Sequence, residues 1–88
     1  MQAIKLTKED IKSINLNLKK VIGQLQSLHT VIEENSVTDQ TFTQLLASKG
    51  GVSRVCKEII SRGVLKNIHK YSHEELSKAL DIIFKLDK

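Results

Sequence analysis

The sequence predicts an all-α fold: three helices, two of them long and antiparallel, with a short third at the carboxyl end. Three observations point there. Apolar residues recur every three or four positions almost throughout, the chain contains no proline, and no stretch alternates apolar with polar residues as a half-buried strand does. The first apolar block holds Ile11, Ile14, Leu18, Val21, Leu25, Leu28 and Ile32, which fall along one face of a helix. Thr7 precedes Lys8-Glu9-Asp10, so its hydroxyl can accept an orphan backbone N–H while two carboxylates sit at the positive end of the helix dipole. The first helix is therefore expected over 7–34, ending where Asn35-Ser36 offers a turn. At about 1.5 Å per residue it is on the order of 40 Å long.

A second block opens at Thr38-Asp39-Gln40 and continues through Phe42, Leu45, Leu46, Val52, Val55, Cys56, Ile59, Ile60, Val64 and Leu65 to Ile68, interrupted only at Gly50-Gly51 and Gly63. A glycine inside a helix costs roughly 1 kcal/mol relative to alanine, so one reading puts a loop at Gly50-Gly51 and two short helices around it. Strong periodicity on both sides favours the other reading, one helix over 38–69 whose small residues let another backbone approach. Ser72-His73-Glu74-Glu75 has the spacing of a capping box. It opens a third helix over 72–86, with Leu76, Ala79, Leu80, Ile83 and Leu86 along one face.

Composition limits what such a chain can do. Its 88 residues make a single domain, 1–88, whose core is marginal without help from disulfides, metal or oligomerisation. A helical hairpin also leaves the outer side of each apolar stripe wet, so self-association is expected. Cys56 is the one cysteine, which rules out a disulfide within the chain and points to a reducing compartment, the cytoplasm. The first residues form no extended apolar run and nothing approaches the roughly 20 apolar residues that span a bilayer, so a soluble protein without a signal peptide is expected. The 14 Lys+Arg against 10 Asp+Glu give a net charge of +4, compatible with a nucleic-acid partner. No paired nucleophile and base, phosphate-cradling glycine loop or acid–base constellation is present. Neither an enzyme nor a cofactor is expected.

Four segments carry a family resemblance: Lys19-Lys20-Val21-Ile22-Gly23-Gln24, Val31-Ile32-Glu33-Glu34, Thr43-Gln44-Leu45-Leu46-Ala47-Ser48-Lys49-Gly50-Gly51 and Lys57-Glu58-Ile59-Ile60. In this order and separation they resemble the CsoR/RcnR family of small bacterial transcriptional repressors, which includes metal sensors and a formaldehyde sensor. The match runs without a gap from about Leu18 to Ile68. The resemblance implies a three-helix protomer, a dimer of antiparallel hairpins assembled into a flat tetramer, and binding of double-stranded DNA without a helix-turn-helix. Lys12, Lys19, Lys20 and Gln24 on the first helix and Lys49 on the second, where the family carries an arginine, are the expected DNA-binding residues. Multiplied over four protomers, these lysines form a broad positive surface suited to phosphates, with groove shape and Gln24 supplying sequence preference. Arg62, Lys66 and Lys70 form a further i,i+4 ribbon that the family pattern does not place at DNA.

The departures from the family matter as much. Its metal sensors use a Cys near the start of the second helix, a His, and a Cys or His one turn later, ligands suited to copper, nickel or cobalt. Here those positions fall on Thr38, Gly63 and Asn67, so the usual metal site is expected to be lost. The formaldehyde-sensing branch also needs the Cys that Thr38 replaces. His69 and His73 have i,i+4 spacing, but Ser72 starts a new helix between them; His29 has no second ligand at suitable spacing. Cys56 reads first as a small buried hydrophobe and second as a redox-sensing thiol, with Arg54 and Lys57 near it in sequence. The favoured function is a cytoplasmic, homotetrameric DNA-binding repressor of this type. Two alternatives stand beside it: a helical interaction module that kept the fold and binds a protein partner instead of DNA, and a metal sensor with ligands relocated to His29, His69 or His73.

Overall fold

The computed structural model describes residues 3–86. Three α-helices, α1 (Lys8–Glu33), α2 (Asp39–Gly63) and α3 (His73–Leu86), are joined by a tight turn after α1 and by a 3-10 segment, Leu65–Lys70, after α2. No strand occurs among the described residues.

Local chemistry sets most of the boundaries. At the start of α1 the Thr7 hydroxyl accepts the Asp10 N–H at 3.1 Å, and the Asp10 carboxylate accepts the Thr7 N–H at 3.1 Å. This reciprocal cap satisfies two otherwise orphaned donors. At the other end Asn35 takes a left-handed conformation with φ 54°. The Asn35 N–H then reaches the Ile32 carbonyl at 3.1 Å and the Ser36 N–H reaches Val31 at 2.9 Å, the pair of bonds that closes a helix through a left-handed residue. Helix α3 opens with the same device as α1: Ser72 Oγ accepts the Glu75 N–H and the Glu75 carboxylate accepts the Ser72 N–H, both at 3.1 Å.

Helix α2 runs unbroken through Gly50-Gly51, in agreement with the continuous reading. It does not run to 69 as the periodicity predicts. It stops at Gly63, and Leu65–Lys70 turns as a 3-10 segment with a non-helical residue at Asn67, φ −122° and ψ 40°. The cause is tertiary. Val64 is wholly buried against Ile60 and Ala79 of α3, and the Tyr71 hydroxyl donates to the Gly63 carbonyl at 3.1 Å. Gly63 also takes the Ile4 and Leu6 side chains into the space that a Cβ would need. A straight helix would carry Tyr71 and α3 away and forfeit the Tyr71 bond and the packing of Val64 on Ala79.

Helices α1 and α2 pack antiparallel, so that the first turn of α1 meets the last turn of α2. The buried positions on α1 are Asp10, Ile14, Val21 and Leu28, and those on α2 include Thr41, Ser48 and Val55; from Ile14 onward and from Thr41 onward the spacing is seven residues, typical of helices packed along a narrow seam. Gly51 permits close approach: a Cβ there would stand 2.8 Å from Val21 Cγ2. The remaining members of the predicted apolar face, Ile11, Leu18, Leu25 and Ile32, stay 37–57% exposed. The Cα envelope measures 50 × 29 × 16 Å, a thin slab whose single interior layer serves only one side of each apolar stripe.

Candidate nucleic-acid interface

The α1–α2 hairpin has two unlike flanks. On one, Ile22, Leu25 and His29 line an open apolar trough. On the other, polar and charged side chains from both helices converge. That polar flank is organised around two carboxylates. Asp10, with its side chain 2% exposed, takes the Lys66 ammonium at 3.0 Å and the Arg62 guanidinium at 3.2 Å in addition to the Thr7 N–H. Lys66 first, then the Thr7 N–H and Arg62, hold its carboxyl well below the usual aspartate range despite burial. Glu58 accepts the Ser13 hydroxyl at 2.6 Å, the Asn17 amide at 2.8 Å and Arg62 Nε at 2.9 Å. The Ser13 hydroxyl, the Asn17 amide and Arg62, in that order, lower its value too. Arg62 bridges the two acids, and both raise its own already high value, Glu58 more than Asp10. Arg62 and Lys66 therefore work inside the protomer as ties between helix ends; they are not an open cationic ribbon.

This arrangement satisfies the buried acids within the hairpin. Lys12, Lys19, Lys20 and Lys49 are exposed and make no ion pair among the described residues. They do not share one site. Seven residues apart, Lys12 and Lys19 lie on the same side of α1, turned away from α2, whereas Lys20 lies about 100° round the helix, beside the seam. Lys20 and Gln24 line a cavity of about 350 Å³ between the helices, together with Asn17, Val21, Ala47, Gly50, Gly51 and Arg54. The Gln24 side-chain oxygen accepts the Ser48 hydroxyl at 3.3 Å, which ties this side chain across the seam. Lys49 does not line this cavity. Arg54 does, although the sequence places it only beside Cys56. A helical wheel is the signal that finds it, because Ala47, Gly50 and Arg54 share one side of α2. Cys56 is half-buried and, two residues on, lies about 200° round α2 from Arg54.

The family's metal-ligand positions fare differently. Thr38 caps the start of α2, its N–H donating to Thr41 Oγ1 at 3.0 Å. Gly63 ends the same helix, so the two lie on the order of 37 Å apart within one chain. Where a ligand side chain would project from Gly63, the Ile4 side chain fills the space. Asn67 and Gly63 both line a cavity of about 210 Å³, with Lys5, Lys70, Tyr71 and Glu75 around them. One hydroxyl, one carboxamide and an apolar plug do not fit a soft or borderline transition metal, which wants thiolate or imidazole. The histidines do not assemble a substitute. His29 pairs with Glu33 at 3.0 Å on the exposed surface of α1, His69 and His73 are exposed on either side of Ser72, and no metal-holding group of three His, Cys, Asp or Glu residues occurs among the described residues.

The profile of one protein family, described as metal-sensitive transcriptional repressor, matches residues 10–86. No curated protein and no solved structure matches the chain.

Proposed function

The chain belongs to the CsoR/RcnR-type family of metal-sensitive transcriptional repressors, a family of regulators and not of enzymes, and from that premise we propose that it is an oligomeric DNA-binding repressor whose metal input has been lost. One observation carries the DNA-binding part: the hairpin's buried acids are matched internally by Arg62 and Lys66, while Lys12, Lys19 and Lys20 on α1 keep their charge for a partner. In this reading they contact the phosphate backbone of a duplex, Gln24 lies beside them at the seam, and repetition over a homotetramer gathers the charge into one surface. The metal part rests on the Ile4 plug at Gly63 and the hydroxyl and carboxamide at Thr38 and Asn67. No helix among the described residues is long and apolar enough to cross a membrane, and a cytoplasmic setting suits a single reduced thiol.

The test is charge reversal. Genomic fragments selected for binding at low salt supply a labelled duplex. The Lys19→Glu, Lys20→Glu double variant should lose affinity for it by more than about tenfold, since each charge-assisted phosphate contact contributes roughly 1.5–3 kcal/mol, while its oligomeric mass stays that of the wild type. Unchanged affinity with an intact oligomer would retire this face as the contact surface and favour a protein partner. Equilibrium dialysis with nickel, cobalt, zinc and copper(I) addresses the input. The wild type should bind none of them better than a variant lacking His29, His69 and His73, and tighter binding by the wild type would restore a relocated metal site.

A further inference from the structure

Two of the four glycines are accounted for inside the protomer and two are not. Gly51 accommodates Val21, and Gly63 accommodates Ile4 and Leu6; a Cβ on Gly50 would meet nothing within 4 Å, and neither would one on Gly23. Nor does backbone conformation require Gly50, because no glycine among the described residues has positive φ. A glycine in the middle of an exposed helical face lowers helix stability relative to alanine. Where neither packing nor φ explains it, the remaining physical reason is close approach of something from outside the chain.

The surroundings of Gly50 say what that something is. Lys20, Gln24 and Arg54 wall the cavity of about 350 Å³ at which Gly50 is exposed. Neither Lys20 nor Arg54 makes an ion pair among the described residues. Glu58, which lines a neighbouring pocket with Arg54, has its charge matched by Arg62 at 2.9 Å. Two cations on facing helices, an amide between them and an uncovered stretch of backbone make a receptor for an anion too bulky to pass a side chain at position 50. Guanidinium and ammonium groups match phosphate oxygens in this way.

We propose that the groove between α1 and α2 is a phosphodiester cleft: one strand of a DNA duplex lays its sugar–phosphate backbone against α2 at Gly50, held by Lys20 from one helix and Arg54 from the other. Arg54, and not Lys49, is then the phosphate ligand of α2. Lys49 lies five residues earlier, about 140° round the helix, and outside the cleft. This assignment rests on the DNA-binding reading above and names its geometry.

The experiment compares full-length Gly50→Ala, Arg54→Gln and Lys49→Gln with wild type. Fluorescence anisotropy with the genomically selected duplex is read over a series of salt concentrations, beside thermal melting and light-scattering mass. Gly50→Ala should melt higher than wild type, keep its mass, and bind DNA about tenfold or more weakly; Arg54→Gln should weaken binding by a similar factor. In a plot of log affinity against log salt, Arg54→Gln should lower the slope by about 0.9 for each phosphate that the variant leaves without its cation. Lys49→Gln should stay within about twofold of wild type, since its charge acts only at a distance screened by salt. If Gly50→Ala or Arg54→Gln binds as wild type does, the cleft is overturned while DNA binding itself stands. A change of mass in Gly50→Ala overturns it as well, because the glycine then serves an interface between copies of the chain. A wild type that binds no duplex removes the parent reading, and the cleft falls with it.

Discussion

Asp10 stays ionised with its side chain almost fully covered because three donors surround it: the Lys66 ammonium, the Thr7 N–H and the Arg62 guanidinium. A buried carboxylate without such partners would be strongly disfavoured. Since its folded value lies below the ordinary one, Asp10 contributes stability that is complete above about pH 4 and drains away as pH falls below the ordinary aspartate value of about 3.9. Asp10→Asn should therefore lower the melting temperature clearly at pH 7, and the gap between variant and wild type should narrow from pH 4 downward. Glu58 titrates in both proteins, so the gap isolates Asp10. Melting curves from pH 2.5 to 7 check this, and a gap that stays constant to the acid end would contradict the assigned ion pairs. The role of Asp10 is only half legible in the sequence. Its place in the first turn beside Thr7 is readable, because capping is local; its partners Arg62 and Lys66 read as an exposed i,i+4 ribbon with Lys70. What joins them is the antiparallel register of α1 on α2, which no local pattern encodes.

Among the elements, helix beginnings are set by neighbours in sequence and the end of α2 by neighbours in space. Thr7, Asn35 and Ser72 act through atoms within five residues, so all three boundaries lie close to where local chemistry puts them. Gly63 differs: the residues after it keep helical spacing through Ile68, and it is the Tyr71 hydroxyl and the burial of Val64 that favour the turn there. Gly50-Gly51 and Gly63 look alike in sequence, yet one is crossed by helix and the other ends it. Two alanine substitutions separate their roles. Gly51→Ala presses a methyl onto Val21, a stiff, β-branched and buried side chain, and should cost about 1–3 kcal/mol of global stability by denaturant melting. Gly63→Ala collides with Ile4, which can yield by lifting the segment before α1. It should speed tryptic cleavage after Lys5 by a larger factor than Gly51→Ala does. Equal cleavage rates in the two variants would mean that Ile4 does not hold that segment down.

At the scale of the whole molecule, the apolar surface does not close. The accessible area is 6775 Å², whereas a compact monomer of 9.9 kDa is expected near about 5200 Å². The difference is about twice the roughly 800 Å² that one partner loses in a standard protein interface. Ile11, Leu18, Ile22, Leu25 and Ile32 on α1, Phe42, Leu45, Leu46 and Val52 on α2, and Ile82 and Phe84 on α3 all remain substantially exposed. The α1 residues of this set lie round the helix from Lys20 and the α2 residues round the helix from Arg54, which leaves the polar flank open if copies join through them. The all-α class is readable from the sequence, and the expectation of association arises there too, since a stripe seven residues in period on a thin hairpin can bury only alternate members. Which cations share a cleft is not readable, because Lys12, Lys19, Lys20 and Lys49 resemble one another until the helices are paired. Light scattering of the wild type should give a mass of several protomers. Ile22→Lys with Leu25→Lys places two charges in the apolar trough while leaving the buried residues Ile14, Val21 and Leu28 intact. The variant should fall toward the mass of a single chain or a smaller assembly, keep most of its helical circular dichroism, and bind DNA more weakly because fewer clefts engage one duplex. A variant that keeps both its mass and its affinity would locate the interface between copies elsewhere, with α3 and its exposed Phe84 the next face to test.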